Sequence, residues 1–242
     1  MRRFIQLSYD GAAYHGWQKQ PNARSVQQTL QEALSMLLQT DIEVVGAGRT
    51  DAGVSARMMV AHFETSKACD NEQLVYKLNK LLPHDIAVQR IWEVPDEMHA
   101  RFSATSRTYH YYIHTRKDPF VRQYSWLVTF PLDFARMNEA ASRLPDFDDF
   151  TSFSKVNTDT KTNLCNVTEA HWTREGENTW RFTITANRFL RNMVRAIVGT
   201  LIEVGRGRMT VDEFCQVIEQ RNRCSAGDSV PGHALFLVDV TY

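Results

Sequence analysis

The sequence predicts an α+β fold with largely antiparallel sheets, and three features of its pattern support this. Residues 4–9 and 107–115 alternate between apolar and polar side chains, which is typical of half-buried strands. Residues 26–38 carry apolar side chains three and four positions apart, which is typical of an amphipathic helix. Residues 167–172 and 180–186 flank a polar turn, as the strands of a β-hairpin do. Strands and helices in this mixed order, with hairpins, favour antiparallel pairing.

The first half is predicted to contain four strands and two helices. The strands cover residues 4–9, 42–45, 58–63 and 86–94. Ser25, followed three residues later by Gln28, forms a capping box that opens the first helix. Asp70 with Gln73 opens the second helix, which ends before Pro83 because proline disfavours helical geometry in the residue before it.

The second half is predicted to mix strands and helices in the same way. Thr210 with Glu213 caps a helix near its end. At roughly 150 residues per domain, a chain of 242 residues holds one large domain or two small ones. We place the break near residues 100–106, which gives an N-terminal half of residues 1–105 and a C-terminal half of residues 106–242. The other predicted elements are a strand at 107–115, a helix at 132–144, the hairpin, a long helix at 187–204 and a strand at 235–240.

The composition restricts the classes of protein that remain. The 28 basic and 28 acidic residues balance, which excludes a globally basic nucleic-acid-coating protein and an acidic disordered tail. No apolar run approaches the roughly 18 to 20 residues of a membrane helix. The four cysteines form no C-x-x-C pair, so we expect reduced thiols in a cytoplasmic protein and no zinc site. Arginine outnumbers lysine 21 to 7, which reflects either lineage bias or a need for guanidinium groups that pair with phosphate.

The segment from Gly46 to Val54, GAGRTDAGV, places three glycines around a basic and an acidic residue between two predicted strands. It lacks the lysine and hydroxyl residue of a phosphate loop and the glycine spacing of a dinucleotide fingerprint. Two interpretations remain: a plain turn in which Asp51 caps backbone amides, or a tight loop that exposes Asp51 to a planar substrate. Arg49 would then hold the carboxylate ionised, ready to act as a nucleophile or a base.

The predicted helix 187–204 has a basic face. Arg188, Arg191 and Arg195 lie three and four residues apart, and no acidic residue lies among them. On most amphipathic helices such a face is simply solvated. Three guanidinium groups that repel one another also suit an anionic partner, and nucleic acid is the natural candidate.

Residues 101–111 interleave basic with aromatic side chains. Arg101 and Arg107 lie in this segment, and Tyr109 and Tyr111 share one face of the predicted strand. Aromatic rings beside cations form a stacking platform for unpaired bases. The alternative is that the two tyrosines are core residues on the inward face of the strand.

Together these segments resemble the TruA family of tRNA pseudouridine synthases along nearly the whole chain. The sequence departs from the family at Ser55, where histidine is usual, and at Arg57-Met58-Met59, which replaces a Gly-Gln pair. The resemblance lies in long motifs that follow the family's order: Tyr9-Asp10-Gly11, Tyr14-His15-Gly16-Trp17-Gln18, Ala47-Gly48-Arg49-Thr50-Asp51-Ala52-Gly53-Val54, His99-Ala100-Arg101-Phe102-Ser103-Ala104-Thr105, Asp149-Phe150-Thr151-Ser152-Phe153, and Met193-Val194-Arg195 with Ile197-Val198-Gly199.

The resemblance implies a reaction, the conversion of uridine to pseudouridine at positions 38, 39 and 40 of the tRNA anticodon stem-loop, with no cofactor or metal. It implies that Asp51 is the catalytic nucleophile and that Arg49 and Arg195 pair with this aspartate and with bound RNA. It also implies that Tyr109 stacks on the target base. The remaining expected substrate-binding residues are Arg101, Arg107, Arg188 and Arg191.

The resemblance also implies an architecture: two ferredoxin-like halves around a central basic cleft, in a homodimer in which one tRNA touches both subunits. Neither a membrane nor DNA is an expected partner. Two other functions compete with this one. An RNA-binding module would keep the cleft without the chemistry, and an Asp-nucleophile phosphohydrolase would need a second aspartate that the loop lacks. Intact Arg49, Asp51, Tyr109 and Arg195 favour the enzyme.

Overall fold

The computed structural model describes residues 1–155 and 162–242. These residues form nine β-strands and five α-helices in a mixed α/β arrangement. The chain divides into two compact units: unit 1 contains Met1–Thr105 and Phe236–Tyr242, and unit 2 contains Ser106–Leu235. Within the described ranges, no helix combines the length and the apolar character of a membrane span.

Most elements follow one another as the sequence predicts; the exceptions are the short strand β6, which was not predicted, and the late start of α4. The strands are β1 Arg2–Tyr9, β2 Val44–Gly46, β3 Ser55–Glu64, β4 Ile86–Val94, β5 Ser106–His114, β6 Trp126–Leu127, β7 Val167–Arg174, β8 Thr179–Ala186 and β9 Leu235–Thr241. The helices are α1 Val26–Leu38, α2 Asn71–Leu81, α3 Phe134–Ala141, α4 Met193–Gly205 and α5 Val211–Glu219.

Unit 1 is a mostly antiparallel sheet covered by two helices. The strand β1 is central and runs antiparallel to both β3 and β4. Strand β2 pairs antiparallel with the end of β3 that holds Ala61–Phe63, while β9 runs parallel to its other end at Ser55 and Ala56. The side chains that form the core of this unit are buried and apolar, among them Phe4, Ile5, Leu7, Leu30, Leu34, Val60, Phe63 and Leu78.

Helices α1 and α2 begin at the residues that the capping pattern predicts. The Ser25 hydroxyl accepts a hydrogen bond from the Gln28 amide, but the Gln28 side chain bonds to Glu32 instead of returning to Ser25, so only half of the predicted capping box forms. The Asp70 carboxylate accepts from the Gln73 amide at 2.7 Å. Each bond satisfies an amide that the first turn of a helix leaves without an intrahelical partner.

Unit 2 contains the antiparallel strands β5, β8 and β7, with the short β6 parallel to β5. The predicted hairpin is confirmed, because β7 and β8 pair from Val167 to Arg174. The predicted capping box of α5 is confirmed too: Thr210 and Glu213 exchange both hydrogen bonds. The core contains Phe150, Phe153, Phe182, Ile184, Ile197, Leu201 and Phe214.

The long helix predicted at 187–204 is wrong in its first part, because α4 begins only at Met193. The preceding residue, Asn192, has a φ of 69°, which is left-handed backbone that an α-helix does not contain. The backbone of the predicted first turns is engaged elsewhere: the Asn187 amide donates to Asn166, and the Arg191 carbonyl accepts from Lys155.

This correction removes the predicted basic helix face. Arg188 and Arg191 lie in the loop of residues 187–192, whereas Arg195 lies in the first turn of α4, so the three side chains do not share a helical surface. The helix is also buried on nearly all sides rather than amphipathic, since only Arg195 and Glu203 among its residues are partly exposed.

Candidate active site

Asp51 lies at the tip of a tight loop between β2 and β3. The loop is closed by a hydrogen bond from the Val54 amide to the Asp51 carbonyl at 3.1 Å. Thr50 is buried, and its hydroxyl lies 2.9 Å from the hydroxyl of Tyr9. Asp51 itself is half-buried, and the next residue, Ala52, is exposed. These contacts fix the backbone of the loop, and a small residue follows Asp51.

The segment 10–17 supports this loop through backbone contacts. The Trp17 amide donates to the Thr50 carbonyl at 3.3 Å, and the Gly53 amide donates to the Tyr14 carbonyl at 3.2 Å. Gly16 has a φ of 90°, and a Cβ built there would overlap the Thr50 carbonyl oxygen. Only glycine combines this backbone with so close an approach. The motif around Tyr14–Trp17 thus positions the Asp51 loop, a role that the sequence pattern did not reveal.

Replacement of Gly16 by alanine is expected to lower the free energy of unfolding by roughly 2–5 kcal/mol, because it adds left-handed strain to a steric overlap. Gly207→Ala is the matched control, since Gly207 also has a positive φ, 70°, but a Cβ there meets nothing within 4 Å. That variant should lose only about 1–2 kcal/mol. Urea denaturation of both variants measures the difference, and equal losses would contradict the close packing of Gly16 against Thr50.

Two further predicted residues of unit 1 are exposed. Arg49 lies on the same loop as Asp51, and its side chain is exposed. Arg101 is also exposed, and its guanidinium lies 5.6 Å from the centre of the Phe102 ring. Phe102 in turn packs against His99 with ring centres 4.3 Å apart. The pairing of Arg49 with Asp51 therefore stays a prediction of the sequence.

His62, the histidine of β3 nearest to the Asp51 loop in sequence, has a structural role. Its side chain is buried, and Nδ1 accepts a hydrogen bond from the Ala100 amide at 3.1 Å. Burial is the main cause that lowers the pKa of His62 to about 4, so the imidazole is neutral at pH 7. Among the described residues, no group of three or more His, Cys, Asp and Glu side chains is arranged as a metal site.

In unit 2, Tyr109 and Tyr111 share the inward face of β5. Tyr111 is fully buried, its hydroxyl donates to the Pro231 carbonyl at 3.0 Å, and burial raises its pKa. It is therefore a core residue. Tyr109 is 8% exposed, and its ring meets the edge of Phe189 at a centre-to-centre distance of 5.0 Å. Because Phe189 belongs to the 187–192 loop, Tyr109 lies beside the loop that contains Arg188 and Arg191.

Arg107 supports this same loop. It is buried, and Nη1 donates to the Asn187 carbonyl at 2.7 Å. The other end of the loop is fixed by the Asn192 side chain, which donates to the Ser229 hydroxyl. Arg188 is half-exposed and Arg191 exposed between these two anchors. Arg107 thus helps to fix the 187–192 loop, and Arg188 and Arg191 remain accessible to solvent.

Arg195 is clamped at the start of α4. Its Nε donates to the Val230 carbonyl at 2.7 Å, and the Val230 amide donates back to the Arg195 carbonyl at 3.2 Å. The segment that carries Val230 reaches α4 because Gly199 has no side chain: a Cβ there would overlap the Asp228 carbonyl oxygen. Gly199 and Val230 are functional supports that sequence reasoning missed, although a glycine inside a helix is a recognisable signal of close packing.

The predicted site residues are divided between the units. Unit 1 carries Asp51, Arg49 and Arg101, while unit 2 carries Tyr109, Arg195, Arg107, Arg188 and Arg191. Within unit 1 the structure supplies a carboxylate on a loop whose backbone is held by hydrogen bonds, and the guanidinium groups of Arg49 and Arg101 are exposed. Within unit 2 it brings a tyrosine ring beside a loop with two accessible arginines and supplies a guanidinium with a fixed Nε.

Comparison with known proteins matches this chain to one family over most of its length. Residues 6–103 and 143–242 match a family model described as tRNA pseudouridine synthase. The tRNA pseudouridine synthase A of Bacteroides fragilis is 59% identical over 242 residues, which are all of this chain and 96% of that protein. The protein of the same name from Bacteroides thetaiotaomicron is 60% identical, covering all of this chain and 90% of the relative. That of Bacillus subtilis is 40% identical, covering all of this chain and 99% of the relative.

These matches define an isomerase of the class that forms pseudouridine in RNA. The chain belongs to the family of tRNA pseudouridine synthases. The resemblance inferred from the sequence motifs is thereby confirmed, and tRNA is the substrate that the family implies.

Proposed function

We propose that this enzyme converts uridine to pseudouridine at positions 38, 39 and 40 of the tRNA anticodon stem-loop, with Asp51 as the nucleophile. The observation that carries the proposal is the presentation of Asp51: a half-buried carboxylate on a loop that Thr50, Tyr9 and the glycine-rich 10–17 segment hold from below. The small neighbours Ala52 and Gly53 leave room for a pyrimidine to reach it.

The reaction exchanges one bond to the ribose for another. The glycosidic bond between C1′ and N1 of uracil breaks, the base turns within the site, and a bond forms between C1′ and C5. The hydrogen on C5 leaves as a proton and N1 gains one, so the product is an isomer. A base in a stem must first be flipped out at a cost of a few kcal/mol. Stacking on one aromatic ring offsets roughly 1–3 kcal/mol of that cost, and Tyr109 supplies the ring.

In this proposal the two units are ferredoxin-like halves that enclose a central basic cleft in a cytoplasmic homodimer, and one tRNA touches both subunits. Unit 1 contributes Asp51 with Arg49 and Arg101, and unit 2 contributes Tyr109 with Arg195. Support comes from exposed or half-exposed guanidinium groups at Arg49, Arg101, Arg188 and Arg191 in a chain whose formal net charge is zero. Local basic surfaces attract RNA even when the total charge is balanced.

The test is the release of tritium from tRNA whose uracils carry tritium at C5. An isomerase frees this hydrogen in every turnover, whereas an RNA-binding module that lacks the chemistry binds the same tRNA and releases none. Substrates with a single labelled uridine at position 38, 39 or 40 then locate the modified sites. Release from a uridine elsewhere in tRNA, with none from these three, would overturn the positional part of the proposal.

We propose that the Tyr109 hydroxyl also assists deprotonation of the target base, so Tyr109→Phe is expected to lower kcat by about 100-fold, the lower range for loss of a proton-transfer group. Tritium release gives kcat, while filter binding should give an unchanged Kd because the phenyl ring still stacks. Tyr112→Phe, three positions later on β5 and therefore on its opposite face, is the matched control and should keep the parental rate. An unaltered kcat in Tyr109→Phe would restrict Tyr109 to a stacking platform.

Removal of the two arginines of the 187–192 loop is expected to flatten the salt dependence of tRNA binding. Each phosphate contact contributes a slope of roughly 0.7 to 0.9 in a plot of log K against log salt. The double variant Arg188→Ala/Arg191→Ala should therefore lose about twice that amount. Arg136→Ala is the control, because Arg136 lies on α3 and pairs with Asp133. If both variants keep the parental slope, this loop does not contact the RNA backbone.

A further inference from the structure

The loop of residues 115–125 in unit 2 leaves the sheet and returns to it with its two ends joined to each other. The strands on either side pair in parallel, with Ile113 opposite Trp126 and His114 opposite Leu127. His114 and Ser125 join the two ends a second time through a hydrogen bond of 3.0 Å between Nδ1 and the hydroxyl. Compact loops whose ends meet in this way are frequently functional.

The 115–125 loop presents an aromatic ring to solvent. Phe120 is 90% exposed, although burial of its side chain would be worth roughly 1.5–3 kcal/mol. The turn that presents it is built: the Asp118 carboxylate accepts a hydrogen bond from the Phe120 amide at 2.8 Å, and the Tyr124 amide donates to the Val121 carbonyl at 3.0 Å. An exposed ring on an ordered turn is suited to stacking with a partner.

The same loop is basic. Arg116, Lys117 and Arg122 are exposed, and among the residues that the structure describes no acidic side chain forms an ion pair with them. The one acid of the loop, Asp118, is engaged in the turn. Three cations beside an exposed ring are the combination that binds single-stranded nucleic acid, because phosphates contact the cations while bases stack on the ring.

A cavity of about 500 Å³ adjoins the loop, within the range of small-ligand sites. Lys117 and Arg122 line it together with the buried His114, whose pKa is lowered mainly by burial, so that it is neutral and adds no charge at pH 7. The lining residues are His114, Lys117, Asp118, Pro119, Arg122, Ser125, Trp126, Leu127 and His233.

We propose that the 115–125 loop and its cavity bind a single-stranded part of the tRNA, with one base stacked on Phe120 and the backbone phosphates against Lys117 and Arg122. The proposal rests on the proposed function in that tRNA is the ligand. The three exposed cations beside an exposed ring favour RNA, whose phosphates and bases complement both features, over a second copy of this chain, whose formal net charge is zero.

The first test is the dissociation constant of tRNA for Phe120→Ala. Loss of one stacked base should raise Kd by about 5- to 150-fold, and Phe120→Trp should restore binding because a larger ring stacks at least as well. Tyr76→Ala is the matched control, an exposed aromatic residue beside Lys80 on α2, and should stay within twofold of the parent. Because Phe120 is almost fully exposed, the variant folds. An unchanged Kd in Phe120→Ala overturns the proposal.

The second test identifies the partner directly. The photoreactive residue p-benzoylphenylalanine at position 120 should crosslink to tRNA on irradiation, and digestion of the adduct should locate the nucleotide in an unpaired segment. A crosslink to a second protein chain in place of RNA assigns the loop to a protein interface and overturns the proposal. Tritium release by the parent enzyme distinguishes failure of this inference from failure of the proposed function. If the parent enzyme releases tritium and Phe120→Ala leaves Kd unchanged, only the inference about the 115–125 loop is rejected. If the parent enzyme releases no tritium, the proposed function is rejected.

Discussion

Asp51→Asn is expected to lower the rate of pseudouridine formation by about 1,000-fold or more, because an amide lacks the charge and the nucleophilicity of a carboxylate. The variant keeps the shape of the side chain. It also keeps the backbone hydrogen bond that closes the loop, which runs from the Val54 amide to the Asp51 carbonyl. Binding of tRNA should therefore change by no more than a few-fold.

Single-turnover tritium release gives the chemical step, and filter binding gives Kd for the same protein. Asp41→Asn is the matched control, since Asp41 is an exposed acid that precedes β2 in the same unit. It should retain the parental rate. Turnover retained in rigorously purified Asp51→Asn would reject the assignment of the nucleophile, and a large loss of tRNA binding would indicate that Asp51 acts in recognition or in the fold.

The positions of the helix starts could be predicted because they depend on neighbours in the sequence. Asp70 and Thr210 each cap the amide three residues later, and this bond is decided within one turn of chain. The hydrogen bond from the Gln28 side chain back to Ser25 was predicted but does not form, and this too is decided by a nearby residue. Its side chain has an alternative partner one turn further on, Glu32, and the sequence pattern does not rank the two.

The long helix at 187–204 could not be predicted correctly because tertiary contacts decide where it begins. Apolar residues at helical spacing continue through the 187–192 loop, so the pattern extends the helix by two turns. In the structure the carbonyl of Asn187 accepts from Arg107, and Asn192 adopts left-handed backbone with its side chain on Ser229. Each of these partners is distant in sequence, and the spacing of apolar residues contains no information about such contacts.

The sequence motif predicted the loop that contains Asp51, but it did not predict which segments pack against that loop. The motif GRTDAG places Asp51 on a tight loop, as the structure shows, whereas the pairing of Asp51 with Arg49 stays a prediction. What holds the loop is a backbone approach by the segment of Gly16, more than thirty positions earlier. Glycines that permit such contacts leave no periodic signal, so the sequence alone did not link the two motifs.

Arg195→Ala is the second change with a large expected effect, and it should lower kcat by about 100- to 1,000-fold with a smaller change in Kd. A guanidinium held by Val230 is fixed before substrate arrives, so it costs no reorganisation when charge develops during the reaction. Stopped-time tritium release at saturating tRNA gives kcat, and titration at low enzyme concentration gives Kd. A loss confined to Kd would make Arg195 a phosphate clamp.

Arg195→Lys separates charge from geometry. Lysine restores the cation but not the planar fork, and its Nζ is not placed as Nε is for the bond to the Val230 carbonyl. We therefore expect a rate between those of Arg195→Ala and the parent. The control is Arg208→Ala, which removes an exposed guanidinium just beyond the other end of the same helix, where it pairs with Glu203 at 3.6 Å. A lysine variant with the full parental rate would show that charge alone is required and that the clamp at Val230 serves only the fold.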